Sequence, residues 1–151
     1  MRKSMSDTLD ENRRNEDGFT LVELMVVIVI IGLLATVVII NVLPSQDRAM
    51  TEKTKADIAL IEQSLDRYRL DHFTYPKSEE GLQSLMTAPA SVAQTGRYPN
   101  GGYLRRLPND PWGRPYQYRV PGRQGPFDVF SFGADGQEGG DGENADIGNW
   151  G

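Results

Sequence analysis

Hydrophobic and polar positions divide the chain into unequal stretches. Met1 to Gly18 is polar, and Leu24 to Leu43 runs for twenty residues without a charge. At 1.5 Å per residue, a helix of that length is about 30 Å long, the thickness of one hydrocarbon core. Residues 19–43 therefore predict a membrane-spanning helix. No Ala-x-Ala site follows it, so the flanks are not those of an ordinary signal peptide. Beyond Pro44 the pattern stays helical but becomes amphipathic. Ile58, Ile61, Leu65 and Tyr68 recur at spacings of three and four and mark one buried face. The upper half of a single long helix is the expectation, with residues 44–151 as the domain outside the membrane.

After Tyr75 the punctuation changes, because most of the glycines and prolines lie there. Ser78 to Met86 predicts a short capped helix with Leu82 and Leu85 facing inward, ended by Pro89. A loop from about 90 to 102 follows. Residues ending in Tyr116-Gln117-Tyr118 read as a strand, Pro121-Gly122 with Gly125 as a turn, and Phe127 to Phe132 as the returning strand. The fold class is α+β: a long N-terminal helix packed on a small antiparallel sheet. Trp112, Tyr116, Tyr118, Phe127, Phe130 and Phe132 offer either a stacking platform or a core, and packing against one helix is their ordinary use in so small a domain.

Composition narrows the function. The chain of 151 residues has room for one soluble domain besides the apolar block. It has no cysteine, which excludes disulfides, thiolate metal sites and thiol chemistry. A net charge of -5 with scattered Lys and Arg argues against nucleic acid as a partner. The lone histidine, His72, sits beside Asp71 without a nucleophile or metal-ligand spacing, so it reads as a surface residue and an enzyme is not expected.

Three acidic features stand out. Glu23 lies one turn inside the apolar helix, where a carboxylate near the bilayer centre costs about 2.5–3.5 kcal/mol. A cut before Phe19 would create an α-amino group four residues away, and a neighbouring subunit's terminus could then neutralise Glu23; a position among lipid headgroups is the alternative. Glu62 and Asp66, four apart, destabilise an isolated helix by a few tenths of a kcal/mol. Arg69 offers partial relief, and a solvated face or a cationic partner both fit. Phe132 to Trp150 holds five acids and six glycines with little to fold around. It suits either a solvated tail or a hard cation such as calcium, bound by carboxylates and carbonyls without the spacing of an EF-hand.

The string Gly18-Phe19-Thr20-Leu21-Val22-Glu23-Leu24-Met25-Val26-Val27 resembles the class III signal of type IV pilins and type II secretion pseudopilins. The resemblance implies that residues 1–18 are a leader, that a prepilin peptidase cuts after Gly18 on the cytoplasmic side, and that it N-methylates Phe19. It further implies that Glu23 contacts the N-terminus of the adjacent subunit. Two departures are visible. The leader mixes four cations with five acids, so its retention in the cytoplasm rests on Arg2, Lys3, Arg13 and Arg14 rather than on net charge, and Met5 offers an alternative start. Ile40 stands where many relatives carry a helix-kinking proline; Pro44 is the nearest here.

Tyr75-Pro76, Glu80-Gly81-Leu82, Leu107-Pro108-x-Asp110-Pro111-Trp112-Gly113 and the final loop are similar to the major pseudopilins in particular. That similarity implies a type IV pilin-like fold with a calcium-binding loop, in which Asp135 and Asp146 give side chains and Phe132 and Gln137 give backbone carbonyls. Asp141, Glu143 or Asn144 could replace Asp146 among these ligands. Glu62 and Asp66 would bridge to Arg105 or Arg106 of a neighbour. The implied setting is a bacterial inner membrane with the C-terminal domain in the periplasm. The implied partners are further copies, minor pseudopilins, the membrane platform with its ATPase, and an outer-membrane secretin. The rival reading is a type IV pilin of a surface fibre, which usually closes its C-terminal region with a disulfide.

Overall fold

The computed structural model describes residues 18–151, with only the backbone described from 40 to 44. Residues 1–17 of the expected leader, and the side chains at Ile40 and Pro44, lie outside what is described. One helix, α1, runs from Leu21 to His72. The chain divides into two compact units at the Leu43–Pro44 junction.

In the first unit, α1 presents a span from Leu21 to Ile39 that is long and apolar enough to cross a membrane, and none of it is buried. Phe19 is also exposed, at 82%. The helix passes through Gly32 without interruption, and the Thr36 hydroxyl donates to the Gly32 carbonyl at 2.9 Å. That back-bonding satisfies the hydroxyl inside an otherwise apolar helix.

In the second unit, the expected stripe is the core. Ile58, Ile61, Leu65 and Tyr68 are buried and pack with Leu82, Leu85, Val92, Leu104, Tyr116, Phe127 and Val129. The sheet consists of β1 (Gln117–Arg119), β2 (Asp128–Ser131) and β3 (Ile147–Gly148), in the order β1-β2-β3 and antiparallel throughout. Gln117 pairs with Phe130, Tyr118 with Val129 and Arg119 with Asp128; Phe130 and Ser131 pair with Gly148 and Ile147. The third strand is not evident from the sequence. It is two residues long, and its partner is chosen by distance rather than by a turn signal.

Every residue of β2 is buried, unlike the half-exposed alternation that Phe127 to Phe132 suggests. Val129 joins the core against α1, whereas Phe130 packs on the other face, 5.3 Å from the Phe132 ring and 5.7 Å from the Trp150 ring. The chain's last aromatic thus covers the second face. The capped helix expected over Ser78–Met86 is also corrected, to a single 3₁₀ turn at Leu82–Leu85 without a side-chain cap. Gly81 precedes it at φ 62°, a left-handed conformation that ends the Lys77–Glu80 turn before an α-helix can propagate.

Two tyrosines tie this part of the chain back, Tyr116 to α1 and the half-buried Tyr118 to the segment that follows α1. The Tyr116 hydroxyl donates to Asp57 at 2.8 Å and the Tyr118 hydroxyl to the Pro76 carbonyl at 2.8 Å. Burial, reinforced at Tyr116 by the Asp57 carboxylate, pushes both phenols well above the ordinary tyrosine range. His72 is not a plain surface residue. It is half-buried, with its ring centroid 4.5 Å from that of Tyr68 and its Nε2 3.0 Å from the Tyr103 hydroxyl. A helix-end position is usually open, but here the loop bearing Tyr98 and Tyr103 folds back over it.

Candidate functional site

The head of α1 is built by a reciprocal cap. Gly18, Phe19 and Thr20 precede the helix without regular structure. The Glu23 backbone N–H donates to the Thr20 hydroxyl at 3.2 Å, and the Thr20 N–H donates to Glu23 Oε2 at 3.1 Å. This is a capping box, readable from Thr20-Leu21-Val22-Glu23. Glu23 therefore has a local hydrogen bond. It gains no opposite charge from it, and the carboxylate remains exposed at the head of an apolar surface.

A second site forms where the acidic loop meets the sheet. Its anchor is Asp110, 4% exposed. Asp110 Oδ1 accepts from the backbone N–H groups of Trp112 (3.1 Å) and Arg114 (2.7 Å), so the turn Asp110-Pro111-Trp112-Gly113 is closed by its own first side chain. Oδ2 accepts from the Ser131 hydroxyl at 2.7 Å, and the Gly133 N–H reaches the same hydroxyl at 3.3 Å. A buried carboxylate with all these donors is satisfied rather than reactive. It fixes the point at which the acidic loop leaves β2.

Within the loop, the Gln137 N–H donates to Asp135 Oδ1 at 3.0 Å, and the Gly139 N–H donates to Asp146 Oδ2 at 2.9 Å. The Ala134 N–H crosses to the Glu143 carbonyl at 3.0 Å, and a 3₁₀ turn occupies Gly142–Asn144. The fold of this loop was not predicted from its composition, which points to disorder. Three arginines from elsewhere in the chain reach the loop. Arg123 Nη1 lies 2.9 Å and Arg119 Nη2 4.0 Å from Glu138, and Arg114 donates to the Gly133 carbonyl.

The residues fit a hard cation in one specific respect. Asp146 Oδ1 is buried with no hydrogen-bond partner, and a buried carboxylate oxygen of that kind is suited to a donor or a cation. Asp135 is exposed, and Phe132 and Gln137 flank it within five residues of chain. Among the described residues, no three His, Asp or Glu side chains converge on one point. Two carboxylates with backbone oxygens are thus the donor set on offer, a chemistry that suits calcium better than zinc. Glu143, one of the alternatives to Asp146, has its carboxyl raised above the usual range by the neighbouring Asp47 carboxylate.

The helix acids turn inward to their own domain. Glu62 Oε1 accepts from Asn149 Nδ2 at 3.3 Å, and Asp66 Oδ1 accepts from the Tyr75 hydroxyl at 3.0 Å. Arg69 serves Tyr75, donating to its hydroxyl at 3.3 Å with the guanidinium 5.2 Å from the ring centre, instead of pairing with an acid. Asn149 also donates to the Phe127 carbonyl and accepts from the Val129 N–H, so it pins the C-terminal segment to both sheet and helix. Arg105 and Arg106 are exposed, and among the described residues neither has an acid within 4 Å.

Residues 41–150 match the family described as Type II secretion system (T2SS), protein G, and residues 13–39 match the prokaryotic N-terminal methylation motif. The chain is 50% identical over 138 residues to the type II secretion system core protein G of Pseudomonas aeruginosa, covering 91% of this chain and 97% of that protein. It is 50% identical over 137 residues to the core protein G of Vibrio cholerae, covering 91% and 93%. Among solved structures it is similar to the crystal structure of the major pseudopilin from the type 2 secretion system of enterohaemorrhagic Escherichia coli. The TM-score there is 0.62 at 42% identity, over 73% of this chain and 94% of that one.

Proposed function

The chain belongs to the type II secretion system protein G family, and from that premise we propose how its own residues build and hold a filament. It is the major structural subunit of a pseudopilus, polymerising into the filament that serves export of folded proteins across the outer membrane. A surface-fibre pilin is not favoured.

The observation that carries the assembly reading is the exposed span Leu21–Ile39 with a single carboxylate at its head. Nothing in the chain covers this surface among the described residues, so lipid before assembly and neighbouring helices after it are its natural cover. Cleavage after Gly18 by the prepilin peptidase, with N-methylation of Phe19, leaves a cationic terminus next to the Thr20 cap. The terminus of an adjoining subunit then compensates the charge that the cap leaves open on Glu23. The domain from Pro44 onward lies in the periplasm. Its exposed Arg105 faces the helix acids Glu62 and Asp66 of a neighbour, whose hydrogen bonds to Asn149 and Tyr75 hold them in place for that contact. Minor pseudopilins join the filament, the membrane platform and its ATPase supply the work, and the secretin is the exit.

Calcium is the ion assigned to the acidic loop, with Asp135, Asp146 and the carbonyls of Phe132 and Gln137 as its holders. When bound, it supplies the fixed positive charge that these oxygens lack. The orphaned Asp146 oxygen supports this assignment.

The experiment is intact mass with N-terminal sequencing of protein extracted from membranes. A chain beginning at methylated Phe19 is expected, and retention of residues 1–18 would overturn the processing and with it the charge pairing of Glu23.

A further inference from the structure

The three arginines around the acidic loop do different work. Arg119 and Arg123 meet Glu138 from outside, with partly or largely exposed side chains, and pairs of that kind contribute little. Arg114 is held at both ends. At its root, its backbone N–H and its Nε address the buried carboxylate of Asp110, at 2.7 Å and 3.6 Å. Along its length, the guanidinium carbon lies 5.9 Å from the Trp112 ring centre. At its tip, Nη2 donates to the Gly133 carbonyl, and Nη1 fills the space that a Cβ on Gly136 would need. Gly136 adopts φ +70°, so the backbone bends around the cation at a residue able to do so. Arg114 Nε is buried without a hydrogen-bond partner, so the side chain accepts a loss at its middle to reach the loop.

This guanidinium binds loop backbone, not loop carboxylate. It therefore folds the segment without neutralising Asp135, whose Oδ1 accepts only the Gln137 backbone N–H among the described residues. The distal half is different. Gly139, Asn144 and Ala145 bond only within the loop, and among the described residues no arginine or lysine bonds to it beyond Glu138. The orphaned carboxylate oxygen belongs to that half as well.

We propose that Arg114 is the resident cation of the loop's proximal half, Phe132–Gln137, which it folds without metal so that only the distal half through Asp146 waits for a divalent ion. The part concerning the ion rests on the calcium reading above; the part concerning Arg114 does not. A planar guanidinium reaching Asp110 and Gly133 together is needed, since an ammonium cannot fork between them.

The test is hydrogen exchange, read by mass on peptides covering 132–138 and 139–146, with the full-length protein in detergent. In wild type, chelator should leave the first peptide protected and open the second. Arg114→Gln in chelator should lose about tenfold in protection across the first peptide, the scale of one charge-assisted hydrogen bond. Calcium should restore it. Gly136→Ala crowds the guanidinium without removing it and should open the same peptide, which covers the case in which Arg114→Gln fails to fold. Equal protection of the first peptide in wild type and both variants overturns the proposal, as does a wild-type first peptide that opens fully in chelator. If calcium changes neither peptide in wild type, the calcium reading fails, and the contrast between wild type and variants in chelator still decides the role of Arg114.

Discussion

Leu21–Ile39 and Ile58–Tyr68 are parts of the same helix, yet the first exposes every side chain while the second buries a stripe against its own domain. The difference shows how one element can be divided between two kinds of partner. The upper stretch finds Leu85, Tyr116, Phe127 and Val129 within the chain, so its burial contributes to the stability of a monomer. The lower stretch finds nothing there, so its burial becomes available only in lipid or in other copies. Assembly and folding are thus coded on one helix but draw on separate surfaces, and substitutions should separate them.

The largest effect expected is on assembly alone. Glu23→Val removes the one charge at the head of the exposed stretch. It should abolish filaments seen by electron microscopy while leaving the melting temperature of the domain unchanged, and filaments of normal length would refute the charge pairing. Leu65→Ala does the reverse. Leu65 is fully buried, and its truncation should cost about 2–5 kcal/mol, seen as a fall of about 10 °C or more in calorimetry, with membrane insertion intact. A loss of insertion would mean that the two stretches are not separable.

A smaller effect tests the acidic loop. At millimolar calcium, a site of about 0.1–1 mM affinity stabilises by about 0.4–1.4 kcal/mol. Wild type should melt a few degrees lower in chelator, and Asp146→Asn should melt identically with and without calcium. Persistence of the calcium shift in the variant would remove Asp146 from the site. The smallest effect concerns alkali. The folded-state phenol of Tyr116 sits well above its unfolded value of about 10. Its contribution is therefore complete below pH 10 and fades as pH rises toward the folded value. Tyr116→Phe should flatten the decline in melting temperature above pH 10, whereas an unaltered slope would assign alkaline loss to other groups.

The helix was legible in the sequence because its signals are local. An uncharged run and a three-four periodicity each need only neighbouring residues, and Ile58, Ile61, Leu65 and Tyr68 are buried as that spacing requires. β1 and β2 were legible for the same reason, since turn residues separate them. What escaped depends on distance along the chain. β3 is two residues paired across a long loop, and His72 is covered by tyrosines about thirty residues later. The acidic loop is contacted at Gly133 by Arg114, which belongs to another segment altogether. Composition counts the five acids of that loop correctly but cannot see which cations the fold delivers to it. Thr20 with Glu23 is a different case, because its capping pattern is local and stands in the sequence beside the charge of Glu23.

The Thr20–Glu23 cap also sets a boundary useful to a protease. It fixes the first residue of α1 at Leu21, so the Gly18–Phe19 peptide stays on the open side of the helix start, exposed and two residues clear of the first turn. A helix beginning one turn earlier would draw that bond into its hydrogen-bonded ladder and hide it. By holding the helix back, the cap presents the proposed cut in an accessible segment ahead of α1, so Glu23 would serve the exposure of that bond as well as the charge pairing proposed for it.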